Sequence, residues 1–247
     1  MTPQTINKHG LARTVPEPVK RAVRQRYGFG CVICGSALIQ YHHHDPPFED
    51  AKAHTVEGIV PVCGTHHDYF EHGIWSQSKL DSAIKNPKAK QRGFSHGLFD
   101  VGDEMPYVKF AGVTAYHTPR PICFGMDDGP LLIEAPEEPG APFRLSGTFY
   151  DSKGQATLSI DRNEWKAHSQ SWDVQFTGPV LTIREAAGHI HLRLKADPPK
   201  GVIIDRIDMV YRGHVIRGGG ETLTIDGISF TKTVSSNSPC GVLVRSK

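Results

Sequence analysis

The sequence predicts an α+β protein in which a small mixed domain precedes a mainly antiparallel all-β domain, and three observations support this. Cys31-x-x-Cys34 is answered by Cys63-x-x-His66, a set of four ligands that tetrahedral zinc takes. Helix-like and strand-like patterns alternate around these ligands. Beyond residue 97, short apolar or alternating runs recur at intervals of about 10 residues. We therefore expect a flexible arm at 1–15, a zinc-containing domain at 16–97 and a β-rich accessory domain at 98–247.

The elements of the first domain follow from local patterns. Val19 and Val23 recur at helical spacing among basic residues, with Pro16 near the first turn, which predicts an amphipathic helix. Asn86-Pro87 should end the last helix, since a residue before proline disfavours the helical conformation. The predicted elements are a helix at 16–27, a strand at 38–43, a loop at 45–58, a strand at 59–62, a helix at 65–71 capped by its first threonine, and a helix at 78–84.

The second domain is predicted from its strand-like runs. Trp165 and Trp172 are interpreted as core or sheet-face aromatics, because aromatic side chains are usually buried. The predicted strands lie at 131–133, 143–149, 156–160, 173–176, 180–183, 190–194, 202–204, 209–212 and 222–230.

Four histidines near the predicted zinc site are left over once the four ligands are assigned. A structural zinc has all four positions filled by protein and leaves none for water. Such a site needs only His66, whereas His42, His43, His44 and His67 lie in the same short segment. These additional histidines indicate a second metal and a general base, the two components that a metal-dependent nuclease needs.

This arrangement resembles the HNH (His-Me finger, ββα-metal) endonuclease family over roughly residues 18 to 75. His42-His43 with Pro46 fills the middle element of the family pattern. Cys63-x-x-His66-His67 fills the last element, with His66 in place of the usual fourth Cys. The runs 40–46 and 73–76, and more loosely 171–174 and 181–185, are similar to a bacterial subgroup with a β-rich tail.

The resemblance implies a metal-dependent endonuclease that hydrolyses phosphodiester bonds in DNA. His42 and His67 would hold a catalytic divalent metal, Mg²⁺ or another such as Mn²⁺, Ni²⁺ or Zn²⁺, and His43 would be the base that activates water. His44 competes for this role, because Pro47 follows it by three residues as Pro46 follows His43. Strand alternation alone does not choose between them.

Three further positions carry open alternatives. Glu71 lies four residues after His67, on the same helix face, and is either a further ligand or an exposed charge. The central Asn of the family falls near Gly58, which has no side chain to orient the base. His54 or a backbone carbonyl could replace that Asn, and His54 is also a candidate metal ligand.

Charge is distributed unevenly along the chain. The formal net charge is +2, but residues 1–97 hold 12 Lys/Arg against 8 Asp/Glu, and the remainder holds 16 against 18. Positive charge beside a metal site suits a polyanion, so we expect nucleic acid to bind here. The charge does not separate DNA from RNA, and the resemblance favours DNA. The alternative is a pair of solvated helix faces. The predicted contacts are Lys20, Arg21, Arg24, Arg26, Lys85, Lys88, Lys90 and Arg92.

Location and partners follow from what the sequence contains elsewhere. The sequence shows no apolar leader and no run of about 18 apolar residues, so we expect no secretion, no membrane partner and a cytoplasmic protein. The resemblance implies a context of bacterial defence or a mobile element. Cys123 and Cys240 are too far apart to assign as a pair. The β-rich domain is expected to serve a protein partner or homo-oligomer. The second hypothesis for function is a non-catalytic zinc module that binds nucleic acid or protein.

Overall fold

The computed structural model describes residues 6–125 and 127–244. It shows a mixed α+β protein that consists mostly of strands, as the sequence predicts at this level. The chain divides into two compact units, Met1–His96 and Gly97–Lys247. Within the described ranges, no helix combines the length and the apolar character needed to span a membrane.

The first unit contains four helices and a two-stranded sheet among its described residues. The elements are α1 (Glu17–Tyr27), β1 (Gln40–His43), β2 (Ile59–Val62), α2 (Gly64–Glu71), α3 (Gln77–Lys85) and α4 (Lys88–Arg92). β3 (Phe94–Leu98) crosses into the second unit. β1 and β2 pair antiparallel, with His42 opposite Val60 and His43 opposite Ile59. The order β1–β2–α2 therefore brings the end of the histidine run beside the helix that follows Cys63.

Local physics accounts for the ends of these elements. α1 has proline in its first turn and ends at Gly28, whose φ of 78° is the left-handed conformation that glycine adopts without strain. α2 begins at Gly64 with Cys63 as N-cap, so the predicted cap at Thr65 was wrong by two residues. α4 was not predicted, because Pro87 ends α3 but is also the N-cap of a new helix.

A small apolar core holds the first unit together. α1 supplies Val23 and Tyr27, and β2 lies wholly in the core with all four of its residues buried. Burying each large aliphatic side chain stabilises the fold by about 1.5–3 kcal/mol. The members of this core are Val15, Val23, Tyr27, Cys31, Val32, Ile59, Val60, Val62 and Leu80. β2, whose four residues are all buried, thus anchors the two-stranded sheet whose other strand carries His42 and His43.

The N-terminal segment, residues 6–15, is not the loose arm that the sequence predicted. Asn7 Nδ2 donates to the carbonyl oxygens of Phe48 and Ala51 at 2.6 and 2.7 Å. Ile6 forms a bridge with Ala12, and Val15 is 5% exposed in the core. Both ends of the segment are therefore anchored. Residues 1–5 of the predicted arm lie outside the described residues.

The second unit consists of strands β4 to β19. They are Tyr107–Phe110, Val113–Tyr116, Arg120–Phe124, Leu131–Glu134, Arg144–Tyr150, Ala156–Asp161, Glu164–His168, Asp173–Thr177, Val180–Ala186, His189–Asp197, Gly201–Tyr211, His214–Gly219, Thr222–Ile225, Ile228–Thr231, Thr233–Ser236 and Cys240–Val244. One antiparallel run has the order β10–β9–β8–β7 and another the order β11 to β17. Parallel pairs join β4 to β14, β5 to β18 and β6 to β19.

Some strand predictions for this unit need correction. The runs 202–204 and 209–212 are one strand, β14, and the run 222–230 is two, β16 and β17, divided at Asp226-Gly227 where both φ angles are positive. Trp165 is fully buried, as predicted for a core aromatic. Cys123 and Cys240, unassigned from sequence, form a disulfide between β6 and β19. Disulfides are typical of oxidising compartments, so this bond does not support the predicted cytoplasmic location.

Candidate functional site

The three cysteines and His66 of the two short motifs converge on one point. Cys34 Sγ lies 3.9 Å from Cys63 Sγ, and His66 Nδ1 lies 3.1 Å from Cys63 Sγ and 3.4 Å from Cys31 Sγ. Metal–sulfur bonds of about 2.3 Å and metal–nitrogen bonds of about 2.0–2.1 Å give a tetrahedron whose edges are roughly 3.5–3.8 Å. The cluster therefore has the donor set and the dimensions to bind a metal such as zinc.

Two glycines build the turn that carries the first cysteine pair. A Cβ on Gly30 would lie 2.5 Å from the carbonyl oxygen of Gly35, so only glycine fits this close approach. Gly35 has a φ of 84° and donates its N–H to the carbonyl of Cys31 at 2.8 Å. The hydrogen bond from the Cys34 thiol, reinforced by backbone amides, lowers the pKa of Cys31 to about 4. That places one thiolate, the form that binds metal, in the buried position of the cluster.

A second group of possible ligands lies at the end of the histidine run. His42 Nδ1 is 3.5 Å and His67 Nε2 is 3.7 Å from the same oxygen of Glu71. The three ligand atoms all lie within 4.8 Å of one another. Ligands about 2.1 Å from one metal are roughly 3–3.4 Å apart, so this group is slightly wider than a loaded site. Glu71, for which the sequence left two interpretations, is here beside both histidines.

His43 is held by a chain of hydrogen bonds that ends on the backbone of the N-terminal segment. His54 Nε2 lies 2.9 Å from the carbonyl oxygen of Ala12, and a carbonyl only accepts, so Nε2 carries the proton. In a neutral His54, Nδ1 is then the acceptor for His43 Nε2, which lies 3.0 Å away. The other nitrogen of His43, Nδ1, keeps its lone pair, and none of the described residues bonds to it. Both nitrogens of His54 are engaged in these hydrogen bonds, and His54 belongs to neither group of possible metal ligands among the described residues.

His44 is occupied at both ring nitrogens. Gln77 Nε2 bonds to its Nδ1, and Asp81 Oδ1 lies 3.1 Å from its Nε2. The two partners come from α3, which sequence reasoning did not connect with the histidine run. Of the two candidates for the base, His43 therefore has a free nitrogen and His44 does not.

Gly58, at the place where the family pattern has Asn, is required by the close approach of another chain segment. A Cβ there would lie 2.5 Å from the carbonyl oxygen of Asp45 and 2.9 Å from Thr55 Oγ1. The carbonyl of Gly58 in turn accepts the N–H of His44 at 2.8 Å. No side chain fits at this position, and the described residue that hydrogen-bonds to the ring of His43 is His54.

The histidines face a common cavity of about 580 Å³. His42, His43, His44, His67 and Glu71 all line it, together with Arg13, Lys20 and Glu49. Burial, followed by the charge of His54, lowers the pKa of His43 to about 4. Burial also lowers the pKa of His42, followed by the charge of His67. Both imidazoles are thus neutral near pH 7, the form in which His accepts a proton or binds a metal.

The predicted phosphate contacts occupy different environments. Arg24 is 2% exposed and donates to Tyr41 Oη at 2.8 Å and to Glu17 Oε1 at 2.9 Å, so its prediction as a phosphate contact was wrong. It is a buried arginine that ties α1 to β1. Lys20 lines the cavity, and Arg26 pairs with a carboxylate of Glu57 at 3.3 Å. The remaining predicted contacts are Arg21, Lys85, Lys88, Lys90 and Arg92, and none of these five lines the cavity.

Arg13 is a cavity residue that sequence reasoning missed. It belongs to the segment predicted as a loose arm, and no periodicity or motif marks it.

Comparison of the chain with models of known protein families, with curated proteins and with solved structures found no match in any of the three.

Proposed function

We propose that this protein is a metal-dependent endonuclease of the HNH type that hydrolyses phosphodiester bonds, with DNA as the preferred substrate. One observation supports this most strongly. The His42–His67–Glu71 group and the free nitrogen of His43 belong to residues that line the same cavity. A metal group next to an imidazole base is the minimum that metal-assisted hydrolysis requires.

In this proposal His42, His67 and Glu71 hold the divalent metal, Mg²⁺ or another such as Mn²⁺, Ni²⁺ or Zn²⁺. The bound metal supplies charge stabilisation at the phosphate and at the leaving oxygen. His43 Nδ1 takes a proton from water as the water oxygen bonds to phosphorus and the bond from phosphorus to the 3′ oxygen breaks. The leaving oxygen takes up a proton from solvent. His54 keeps His43 Nε2 protonated, so that Nδ1 is the basic nitrogen.

Zinc in the Cys31–Cys34–Cys63–His66 group has a structural role in this proposal. All four positions are protein ligands, which leaves no place for water or substrate. Exposed basic residues outside the cavity would add sequence-independent phosphate contacts. The β-rich unit is assigned to a protein partner or to self-association.

The second candidate function is a non-catalytic zinc module that binds nucleic acid or protein. The zinc group alone would satisfy it. It does not account for the hydrogen bond between His43 and His54, nor for the free Nδ1 of His43, a residue that lines the cavity.

A plasmid-cleavage assay separates the two. Protein purified without added metal is tested with Mg²⁺ or Mn²⁺, with and without chelator, beside His43→Ala and His44→Ala. We expect His43→Ala to reduce cleavage by about a hundredfold or more, the scale of a lost general base, and His44→Ala much less. The larger loss in His44→Ala would move the base by one residue. Plasmid that is bound but never cleaved would favour the non-catalytic module.

A further inference from the structure

Arg13 has the features of a substrate-binding side chain rather than of a surface charge. Its backbone is anchored on both sides, by the hydrogen bonds of Asn7 and by the buried Val15. The residue before it, Ala12, has its carbonyl bonded to His54 at 2.9 Å. The position of Arg13 is therefore coupled to the same chain of hydrogen bonds that orients the proposed base.

The side chain of Arg13 is also placed by an aromatic ring. Its Cζ lies 5.1 Å from the centre of the Phe48 ring, and the ring of His43 lies 5.2 Å from the same ring, tilted by 60°. Phe48 thus contacts both the guanidinium and the proposed base. An arginine that packs on an aromatic face loses less freedom when it binds a ligand, because its planar fork is already oriented.

No carboxylate among the described residues forms an ion pair with Arg13, although it lines a cavity that also contains Glu49 and Glu71. Arg24 and Arg26, in contrast, pair with Glu17 and Glu57. An exposed, unpaired guanidinium held beside a cavity retains all five of its N–H donors for an anion. Its fork matches two oxygens of one phosphate.

We propose that Arg13 is a catalytic residue that binds the non-bridging oxygens of the scissile phosphate, and that the N-terminal segment is therefore part of the active site. This inference rests on the proposed nuclease function and deepens it. Negative charge grows on these oxygens as water attacks, so an arginine fixed beforehand stabilises the transition state more than the bound substrate.

The test uses the full chain and three variants. Arg13→Met removes the charge but keeps an unbranched apolar side chain over Phe48, and Arg13→Lys keeps the charge but not the fork. Lys52→Met is the matched control, an exposed lysine of the same unit that does not line the cavity. Thermal melting and zinc content confirm that each variant is folded. A short fluorescein-labelled DNA duplex is then used for binding without added divalent metal and for single-turnover cleavage with Mg²⁺ or Mn²⁺.

We expect Arg13→Met to weaken binding by about tenfold, equivalent to about 1.4 kcal/mol, and to slow single-turnover cleavage by a further hundredfold or so. Arg13→Lys should lose less in both, and Lys52→Met should match the wild type. Wild-type rates and binding in Arg13→Met would overturn the inference while leaving the nuclease proposal intact. If Arg13→Met does not fold, Arg13→Lys decides alone, because full activity in that variant excludes a role for the fork.

The two proposals fail separately. A wild-type protein that cleaves no nucleic acid with any divalent metal overturns the nuclease function. The inference about Arg13 is then judged on binding of the duplex alone. Equal binding by wild type and Arg13→Met overturns it, and selective weakening in Arg13→Met supports Arg13 as a phosphate-binding residue of a non-catalytic site.

Discussion

Replacement of His54 tests whether its hydrogen bond to His43 determines which nitrogen of His43 acts as the proposed base. The ring of His54 donates to the Ala12 carbonyl at 2.9 Å and accepts from His43 at 3.0 Å. His54→Phe keeps an aromatic ring of similar size but removes both hydrogen bonds. His43 then loses the acceptor that keeps its Nε2 protonated and its ring in place. During proton transfer His43 becomes positively charged, and the lost hydrogen bond is then one from a charged donor.

The magnitude follows from the strength of that bond. A hydrogen bond to or from a charged group contributes about 1.5–3 kcal/mol, and each 1.36 kcal/mol changes a rate by about tenfold. We therefore expect His54→Phe to slow single-turnover cleavage by roughly 10- to 150-fold. The loss should be smaller than that of His43→Ala. Substrate binding should change little, because His54 does not line the cavity.

His54→Gln is the matched variant. The amide of Gln carries one donor and one acceptor, so it can donate to Ala12 and accept from His43 as the imidazole does. We expect it to recover most of the activity that His54→Phe loses. The measurement is the single-turnover rate on a labelled duplex, with the melting temperature of each variant as a control for folding. Wild-type activity in His54→Phe, or equal losses in the Phe and Gln variants, would refute the assigned role.

Three further outcomes are expected. Cys34→Ser should reduce the zinc content from about one per chain towards zero and lower the melting temperature, as measured by metal analysis and thermal melting. Neutralising Lys85 and Lys90 should reduce the slope of log DNA affinity against log salt concentration by up to about 2. Arg24→Met should leave this slope unchanged and lower the melting temperature. Burial lowers the pKa of His191, so its contribution to the free energy of unfolding is fully present above about pH 6.5 and is lost as the pH falls below that value. His191→Phe should flatten this loss, as measured by thermal melting at several pH values.

The Cys31–Cys34–Cys63–His66 group could be predicted from the sequence because metal-ligating residues leave a local signature. Cys31 and Cys34 lie within one turn, as do Cys63 and His66, and each pair can be recognised without knowing the fold. The same holds for strong elements such as β2, where four consecutive buried residues left a continuous apolar run. β10 was missed because its alternate residues are Glu164, Lys166 and His168, and only the buried face is apolar.

Strand alternation could not choose between His43 and His44, and only the resemblance favoured His43, because the partners that distinguish the two lie far along the chain. His54 lies 11 residues from His43, and Gln77 lies 33 residues from His44. Arg24 was misassigned for a similar reason. It follows Val23 on α1 and lies three residues before Tyr27, which places it at the border of the buried face rather than on the solvent face. No helical pattern distinguishes such a buried arginine from an exposed one.

One short helix carries residues of both groups of possible metal ligands. α2 has eight residues, no fully buried side chain and no side-chain cap, and an isolated helix shorter than about 12 residues is only marginally stable. His66 of the Cys31–Cys34–Cys63–His66 group lies in its first turn, with Cys63 at its N-cap, and His67 and Glu71 of the second group follow on the same helix. Zinc bound at the first turn would therefore fix the register of His67 and Glu71 relative to His42 on β1. Loss of zinc should abolish binding of the second metal even though no zinc ligand lines the cavity. If both metals bind as proposed, the adjacent residues His66 and His67 of one helix serve two different sites.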